Sequence, residues 1–383
     1  MTTTKNNEHK KLNFSSEREQ NQACLNSAKH EKNQGRKVLN VPNLRFPEFQ
    51  GEWVGKTIGD IAPLQRGFDL PTGQINNGKF PVVYSNGIMN YHSSYKCVAP
   101  GLITGRSGTI GKFTYIEDGY YWPHNTSLWV TNFYDNNPKF IYYLYQTIRI
   151  GQYSMGSGVP TLNRNNVHRH QTFIPKLEEQ KKIATFLSLL DERIATQSKI
   201  IDKLQSLIKG IGKQLFMDNQ NWRTVRIGEL LRIGNGKDYK HLGIGKIPVY
   251  GTGGQMLLVN DYLYDGESVC IGRKGTIDTP MFLKGKFWTV DTLFYTYDFK
   301  DVLPKFCYYL FLQINWKLYN EGTGVPSLSK STIENIKVKI PSLEQQQKIC
   351  SVLDCYEHKT KSEEQILELY LSEKQYLLRQ MFI

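Results

Sequence analysis

Two arginines set in glycine turns, Arg106 in TGRSGTIGK and Arg273 in IGRKGTI, are the residues of this chain best suited to chemistry on an anion. Short glycine turns let backbone N–H groups approach a phosphate, and a guanidinium forks onto phosphate or guanine. Lys112 and Lys274 stand close behind them and would add phosphate contacts. A structural role fits the same spacing: Gly105, Gly108, Gly272 and Gly275 would hold tight turns that the arginines brace. Ser85, Asn86, His124 and Asn125 in the first half of the chain, and Thr252 and Asp291 in the second, are short polar residues suited to base edges or phosphates. Ordinary turns use the same types. Arg164, His168, Arg169 and His170 make a basic run after GSGVPTL; the second half offers Lys330 there, beside Glu334. Trp122 and Trp288 occupy matched positions and read as core.

Catalysis finds little support. GKF at Gly111 lacks the Ser/Thr of a phosphate-binding P-loop, and the preceding glycines are wrongly spaced. His168 and His170 have no carboxylates at ligand spacing, so no metal site is expected. There is no N/D-PP-Y/F amino-methylation motif, no strand-borne glycine-rich cofactor loop, and no nuclease pattern of paired acids with lysine in both halves. The six cysteines form no CxxC and suit neither a disulfide framework nor zinc. Lysine and arginine exceed acids by 48 to 35, a net charge of +13, which favours a polyanionic partner. No apolar run is long enough to span a membrane, and no apolar leader opens the chain, so no membrane partner and a reducing, cytoplasmic setting are expected.

The elements that must position these residues occur twice. WVGKTIGDI at Trp53 pairs with WRTVRIGEL at Trp222, PVVYSNG with PVYGTGG, TGRSGTIG with IGRKGTID, and YYWPHNTS with KFWTVDTL. PKFIYYL pairs with PKFCYYL, GSGVPTL with GTGVPSL, and IPKLEEQKKI with IPSLEQQQKI, all in the same order. Such a series marks an internal repeat. Each copy reads as short strands broken by Gly and Asn turns, a short helix near 139–148 or 305–313, a glycine loop, a strand-like run (HRHQTFIP, IENIKVKIP) and a long helix.

The long helices carry narrow apolar seams. In the first, Ile183, Leu187, Leu190, Ile194, Ile201, Leu204, Ile208, Ile211 and Leu215 recur in steps of four and three, with Gln197 the polar member. In the second, Ile349, Leu353, Tyr356, Leu367, Tyr370, Leu377 and Met381 keep the register, weakened by Thr360, Glu363 and Lys374. A seam that narrow needs a partner helix. If the repeats are related by a pseudo-two-fold axis, the helices pair antiparallel. The expected fold is therefore α/β or α+β: a tandem repeat of a globular domain followed by a long helix, the helices packed as an antiparallel coiled-coil spacer. The expected boundaries are a polar, disordered extension at 1–40, domains at 41–174 and 218–341, and helices at 175–217 and 342–383.

LRFPEFQGEW at Leu44, the GRSGTIG and GRKGTI loops, GVPTL, GVPSL and IPKLEEQKKIATFLSLLDERI together resemble the DNA-specificity subunit of type I restriction–modification enzymes, over residues 42–383. The resemblance implies two target recognition domains, each reading half of a split, asymmetric site in double-stranded DNA. It implies conserved helices that set the spacing and dock two modification (methyltransferase) subunits, and restriction (translocase/nuclease) subunits beyond them. S-adenosylmethionine would belong to the modification subunits, ATP and Mg to the restriction subunits, and no cofactor or catalysis to this chain. The divergent stretches YSNGIMNYHSSYKCVAP and YGTGGQMLLVNDYLYDG point to two unlike half-sites. The alternatives are a self-contained DNA methyltransferase, which would bind S-adenosylmethionine by itself, and a protein scaffold, which would show no sequence preference on DNA.

Overall fold

The computed structural model describes residues 40–155, 159–217 and 221–383. The extension expected at 1–40 lies outside the described residues except for Asn40, as do Gly156, Ser157 and Gly158 of the first glycine loop. The fold is mixed α/β and divides into two compact units. The first comprises residues up to Leu190 with Ser372–Ile383; the second is Asp191–Leu371. Each unit therefore holds one copy of the strand-rich repeat and a segment of both long helices, Leu177–Met217 and Leu343–Met381.

In the first unit, Val54–Thr57 pairs antiparallel with Gln171–Ile174, joining the ends of the repeat. One four-stranded sheet runs Leu64–Arg66, Ser127–Val130, Gly101–Gly105, Phe113–Ile116; a second runs Gly87–His92, Phe80–Tyr84, Tyr120–Pro123, Cys97–Val98. In the second unit Arg223–Arg226 pairs with Lys337–Ile340 in the same way. Its other strands form one six-stranded sheet, in the order Arg232–Asn235, Leu293–Tyr297, Tyr264–Gly272, Met281–Thr289, Ile244–Gly251, Gly254–Val259.

The short helices are Pro138–Thr147 and Pro304–Gln313, each with proline in the first turn, where its missing N–H costs nothing. Both bury an aromatic face: Phe140, Tyr143 and Tyr145 in one, Phe306, Tyr309 and Phe311 in the other. Phe140 stacks on Phe382 at 5.3 Å beside Trp53, and Phe306 stacks on Phe216 at 5.2 Å beside Trp222. Each such buried ring contributes on the order of 1.5–3 kcal/mol from transfer out of water. The run HRHQTFIP is not a single strand. Arg164–His168 is helical, capped by Asn163, and only Gln171–Ile174 is extended; IENIKVKIP likewise straddles the helix Lys330–Asn335 and the strand Lys337–Ile340.

A buried glutamine holds the start of each long helix to its own unit. Gln180 Nε2 donates to the carbonyl of Pro175 and to Asn136 Oδ1, both at 3.0 Å, and its Oε1 accepts from Asn137 N at 2.9 Å. Gln346 repeats the arrangement, donating to the carbonyls of Pro341 (3.1 Å) and Asp301 (2.9 Å) and accepting from Leu303 N at 2.8 Å. Replacing either amide with an apolar side chain would strand several buried polar groups.

Of the seam residues, Ile183, Leu187, Leu190, Ile201, Ile349, Leu353, Leu377 and Met381 are buried. Ile194, Leu204, Ile208, Ile211, Leu215, Tyr356, Leu367 and Tyr370 are half-buried. At mid-seam in the second unit, Gln197 Nε2 donates to the Glu363 carbonyl at 3.0 Å and to its carboxylate.

Candidate nucleic-acid interface

Both glycine–arginine turns are built by the same backbone hydrogen bonds. The N–H groups of Arg106 and Ser107 both donate to Thr126 O, at 2.9 and 3.3 Å; those of Arg273 and Lys274 donate to Thr292 O, at 2.8 and 3.3 Å. Gly108 N reaches Pro160 O and Leu162 N returns to Arg106 O; Gly275 N reaches Pro326 O and Leu328 N returns to Arg273 O. Each turn is thus stitched to the GVP loop some fifty residues later, which the sequence matches alone did not connect. A Cβ on Gly105 would lie 1.7 Å from Thr109 O, and one on Gly272 2.0 Å from Thr276 O; Gly108 and Gly275 have φ of +77° and +90°. The glycines are therefore required by the turn itself.

The arginine side chains are less constrained. Arg106, half-buried, makes a long 3.5 Å bond to Asn125 O, and the exposed Arg273 a 3.4 Å bond to Asp291 O. Around Arg106 the structure gathers several of the other candidates. Ser85 and the exposed Asn86 form the turn between strands Phe80–Tyr84 and Gly87–His92, and Lys112 Nζ donates to Asn86 O at 2.8 Å. His124 stacks on Tyr84 with ring centroids 4.1 Å apart, and burial lowers its pKa. Asn125 donates to Asp69, which also pairs with Arg66 at 3.0 Å. Arg164, exposed at the start of its short helix, shares a hollow with Arg106 and Arg66. Arg66 was not legible as a candidate, because it stands in no matched motif. Arg169, also exposed, caps the end of that helix away from the hollow's lining.

The histidines of the basic run serve the fold. Leu64 N donates to His168 Nε2 at 2.8 Å, so that nitrogen is unprotonated, and burial, then Arg164, lowers its pKa. Tyr153 Oη lies 2.8 Å from His170 Nδ1. Trp122 and Trp288 are buried, their indole N–H groups donating to Phe68 O and Lys237 O.

In the second unit, the half-buried Thr252 lies beneath the Arg273 turn, its Oγ1 3.7 Å from where a Gly275 Cβ would stand. Lys274 is exposed and bridged to Ser327; Asp291 is exposed; the half-buried Lys330 opens the helix capped by Ser329. Among the described residues no group of His, Cys, Asp and Glu could hold a metal ion. Burial pushes the Cys97 thiol up to about 11 and those of Cys270 and Cys350 to about 12, which leaves them poor nucleophiles at neutral pH. The arrangement offers charge and hydrogen-bond donors on matched loops.

The family model described as type I restriction modification DNA specificity domain matches twice, at residues 50–206 and 219–369. The chain belongs to this type I specificity family. Both matches cover a repeat together with part of the long helix that follows it. Among family members, the MjaVIII specificity subunit of Methanocaldococcus jannaschii is 25% identical over 268 residues, 55% of this chain and 62% of its own length. The alignment thus spans under two thirds of that relative. A solved S subunit from M. genitalium shares the fold with a TM-score of 0.62 and 18% identity, covering 90% of this chain and 99% of that one. A chain from a structural study of complex assembly in a type I R-M system aligns with a TM-score of 0.52 and 14% identity, covering 85% and 96%. No helix among the described residues is long and apolar enough to cross a membrane.

Proposed function

We propose that this chain is the non-catalytic subunit that recognises DNA sequence in a type I restriction–modification complex. Each unit reads one half of a bipartite, asymmetric duplex target, through the candidates Ser85, Asn86, Arg106, Lys112, His124, Asn125, Arg164 and Arg169 in one and Thr252, Arg273, Lys274, Asp291 and Lys330 in the other. The carrying observation is that the specificity-domain model matches both repeats, while the stretches 84–100 and 250–266 between their matched motifs differ. Two unlike readers on one frame specify a non-palindromic site.

In this reading the long helices are an antiparallel spacer that sets the gap between half-sites and docks two modification subunits, which hold S-adenosylmethionine. Restriction subunits, with ATP and Mg, complete the assembly in the cytoplasm. The spacer is supported by the pairing inside the second unit. Gln197 meets Glu363, whereas Ile211, Leu215 and Phe216 join the same core as Ile349, Cys350 and Leu353. Advancing along one helix therefore means retreating along the other.

Mapping methyladenine in cells with and without the gene tests the function. Loss of one split, asymmetric motif on deletion is expected. An unchanged methylome, in cells where the partner methyltransferase is expressed, overturns the reading.

A further inference from the structure

We propose that the hollow between Arg66, Arg106 and Arg164 in the first unit is a seat for a backbone phosphodiester of duplex DNA, with Arg66 a contact residue. This rests on the DNA-recognition reading above and adds a site and a residue to it. The hollow is about 380 Å3 and is also lined by Leu128, Met155, Thr161, Leu162 and Asn163; among the described residues no acidic side chain lines it. It lies at the lower end of the roughly 300–1,000 Å3 range of ligand sites, and like them it has an apolar part, here Leu128, Met155 and Leu162, set with a few polar groups. Here three guanidinium groups share one small opening, which suits a polyanion.

Backbone pairing brings the three together from distant parts of the chain. Arg66 faces Leu128 across one strand pair and Leu128 faces Thr104 across the next, two residues before Arg106. The bond from Leu162 N to Arg106 O, 2.7 Å, then draws Thr161, Asn163 and Arg164 alongside. Asp69 accepts from Arg66 at 3.0 Å, and a guanidinium has five donors in its fork, so most remain for a ligand. Neither Arg106 nor Arg164 forms an ion pair among the described residues. Asp69 offsets part of the Arg66 charge; the remaining positive charge of the three guanidinium groups repels itself around the hollow, a cost that an entering phosphate would reverse.

The second unit does not repeat the triad. Asn235, which faces Phe294 as Arg66 faces Leu128, stands at the position of Arg66; Arg273 matches Arg106 and Lys330 matches Arg164. The first unit therefore supplies more of the sequence-independent grip on DNA, and the second relies more on its differing loops.

The test uses the full chain assembled with its modification subunits, titrated at several salt concentrations with duplexes carrying the methylated motif's sequence or a scrambled one. Arg66→Gln should weaken binding to both duplexes by a similar factor and flatten the dependence of log K on log salt by about 0.9, the value for one phosphate contact. Arg66→Lys should keep the slope. An unchanged slope in Arg66→Gln, with its melting temperature and sequence preference intact, overturns the site while leaving recognition standing. Loss confined to one base pair of the target overturns it in favour of base reading. Stabilisation of the wild type, but not of Arg66→Gln, by inorganic phosphate with the DNA slope unaltered overturns it in favour of a free-anion site. No preference for the target in the wild type removes the recognition reading itself.

Discussion

The two units carry the same strand order on differently built sheets. In the second, Tyr264–Gly272 and Met281–Thr289 pair without interruption from Tyr264 opposite Phe287 to Cys270 opposite Met281. In the first, the corresponding ladder breaks: Cys97–Val98 pairs with Tyr121 and Tyr120, and pairing resumes only at Gly101 opposite Ile116. Pro100 sits in the gap, where the second unit has Glu267 opposite Lys284. Proline has no N–H to give the ladder, so the sheet divides there. Yet the turns of Arg106 and Arg273 are stitched alike, bond for bond. The difference teaches that backbone hydrogen bonds around the glycine–arginine turn are the invariant of the two units, while sheet continuity and side-chain charge are free to vary between them.

The largest effects should come from attacking that invariant. Gly105→Ala and Gly272→Ala each force a Cβ into a backbone carbonyl. Each should cost about 1–3 kcal/mol and abolish specific binding, because displacing the turn displaces the loops stitched to it. Equal losses in both, measured by melting and by binding to target against scrambled DNA, support the shared frame. A silent substitution in either unit breaks it.

A second, smaller contrast concerns how each unit grips its long helix. Lys305 Nζ lies 2.8 Å from Glu357 and 3.4 Å from Asp354, with Tyr309 Oη donating to Asp354 at 2.6 Å and three rings around the ammonium. The matched Lys139 also lies over two rings, those of Tyr115 and Tyr142, but its acidic partner is the exposed Glu117 at 3.6 Å, and Tyr143 Oη lies 3.3 Å from Ser188 Oγ. Lys305→Met leaves two part-buried carboxylates without their cation and should cost roughly 2 kcal/mol. Lys139→Met should cost below about 1 kcal/mol. Hydrogen exchange should show segment 343–357 opening in the first variant and segment 177–190 unaffected in the second. Equal costs would remove the asymmetry.

These contrasts mark what sequence pattern reaches. The repeat was legible because seven motifs recur in order, and with it the short helices at Pro138 and Pro304 and the periodicity of both long helices. The stitch from Arg106 to Leu162 was not, since it joins residues far apart by backbone bonds that any side chains permit. Gln180 and Gln346 look like solvent-facing polar residues in EEQKK and EQQQK, yet both are buried, because Asn137 N and Leu303 N at the start of the short helices and the carbonyls of Pro175 and Pro341 need them. Arg66 escaped because matching the repeats favours shared residues, and its counterpart is Asn235. Function carried by one unit only is invisible to a search for what both units share.

That blind spot suggests a gain-of-function test with a modest effect. Asn235→Arg gives the second unit the missing cation. The slope of log K against log salt should steepen by about 0.9 on target and scrambled duplexes alike. An unchanged slope would mean that strand position alone does not create a phosphate seat, and that Asp69 or the neighbouring Asn163 is also needed.

The smallest effect probes the place where the helices differ at matched positions, Gln197 in the first and Glu363 in the second. Both are buried, within the second unit. Lys359 foremost, and Gln197 next, hold the Glu363 carboxyl below its ordinary value. A carboxyl whose pKa is lower folded than unfolded contributes stability above the unfolded value of 4.5 and loses it as pH falls through the folded value. Glu363→Gln makes the pair Gln on Gln and removes the titration. At neutral pH the variant should melt slightly below the wild type, and the gap should close as pH falls below the ordinary carboxylate range. Parallel melting curves down to acid pH would mean that Glu363 is as well solvated folded as unfolded. The polar step at mid-seam would then be held by the Gln197 bond to the Glu363 backbone carbonyl, which any residue at 363 can offer, and the unlike residues at these positions would not distinguish one helix from the other.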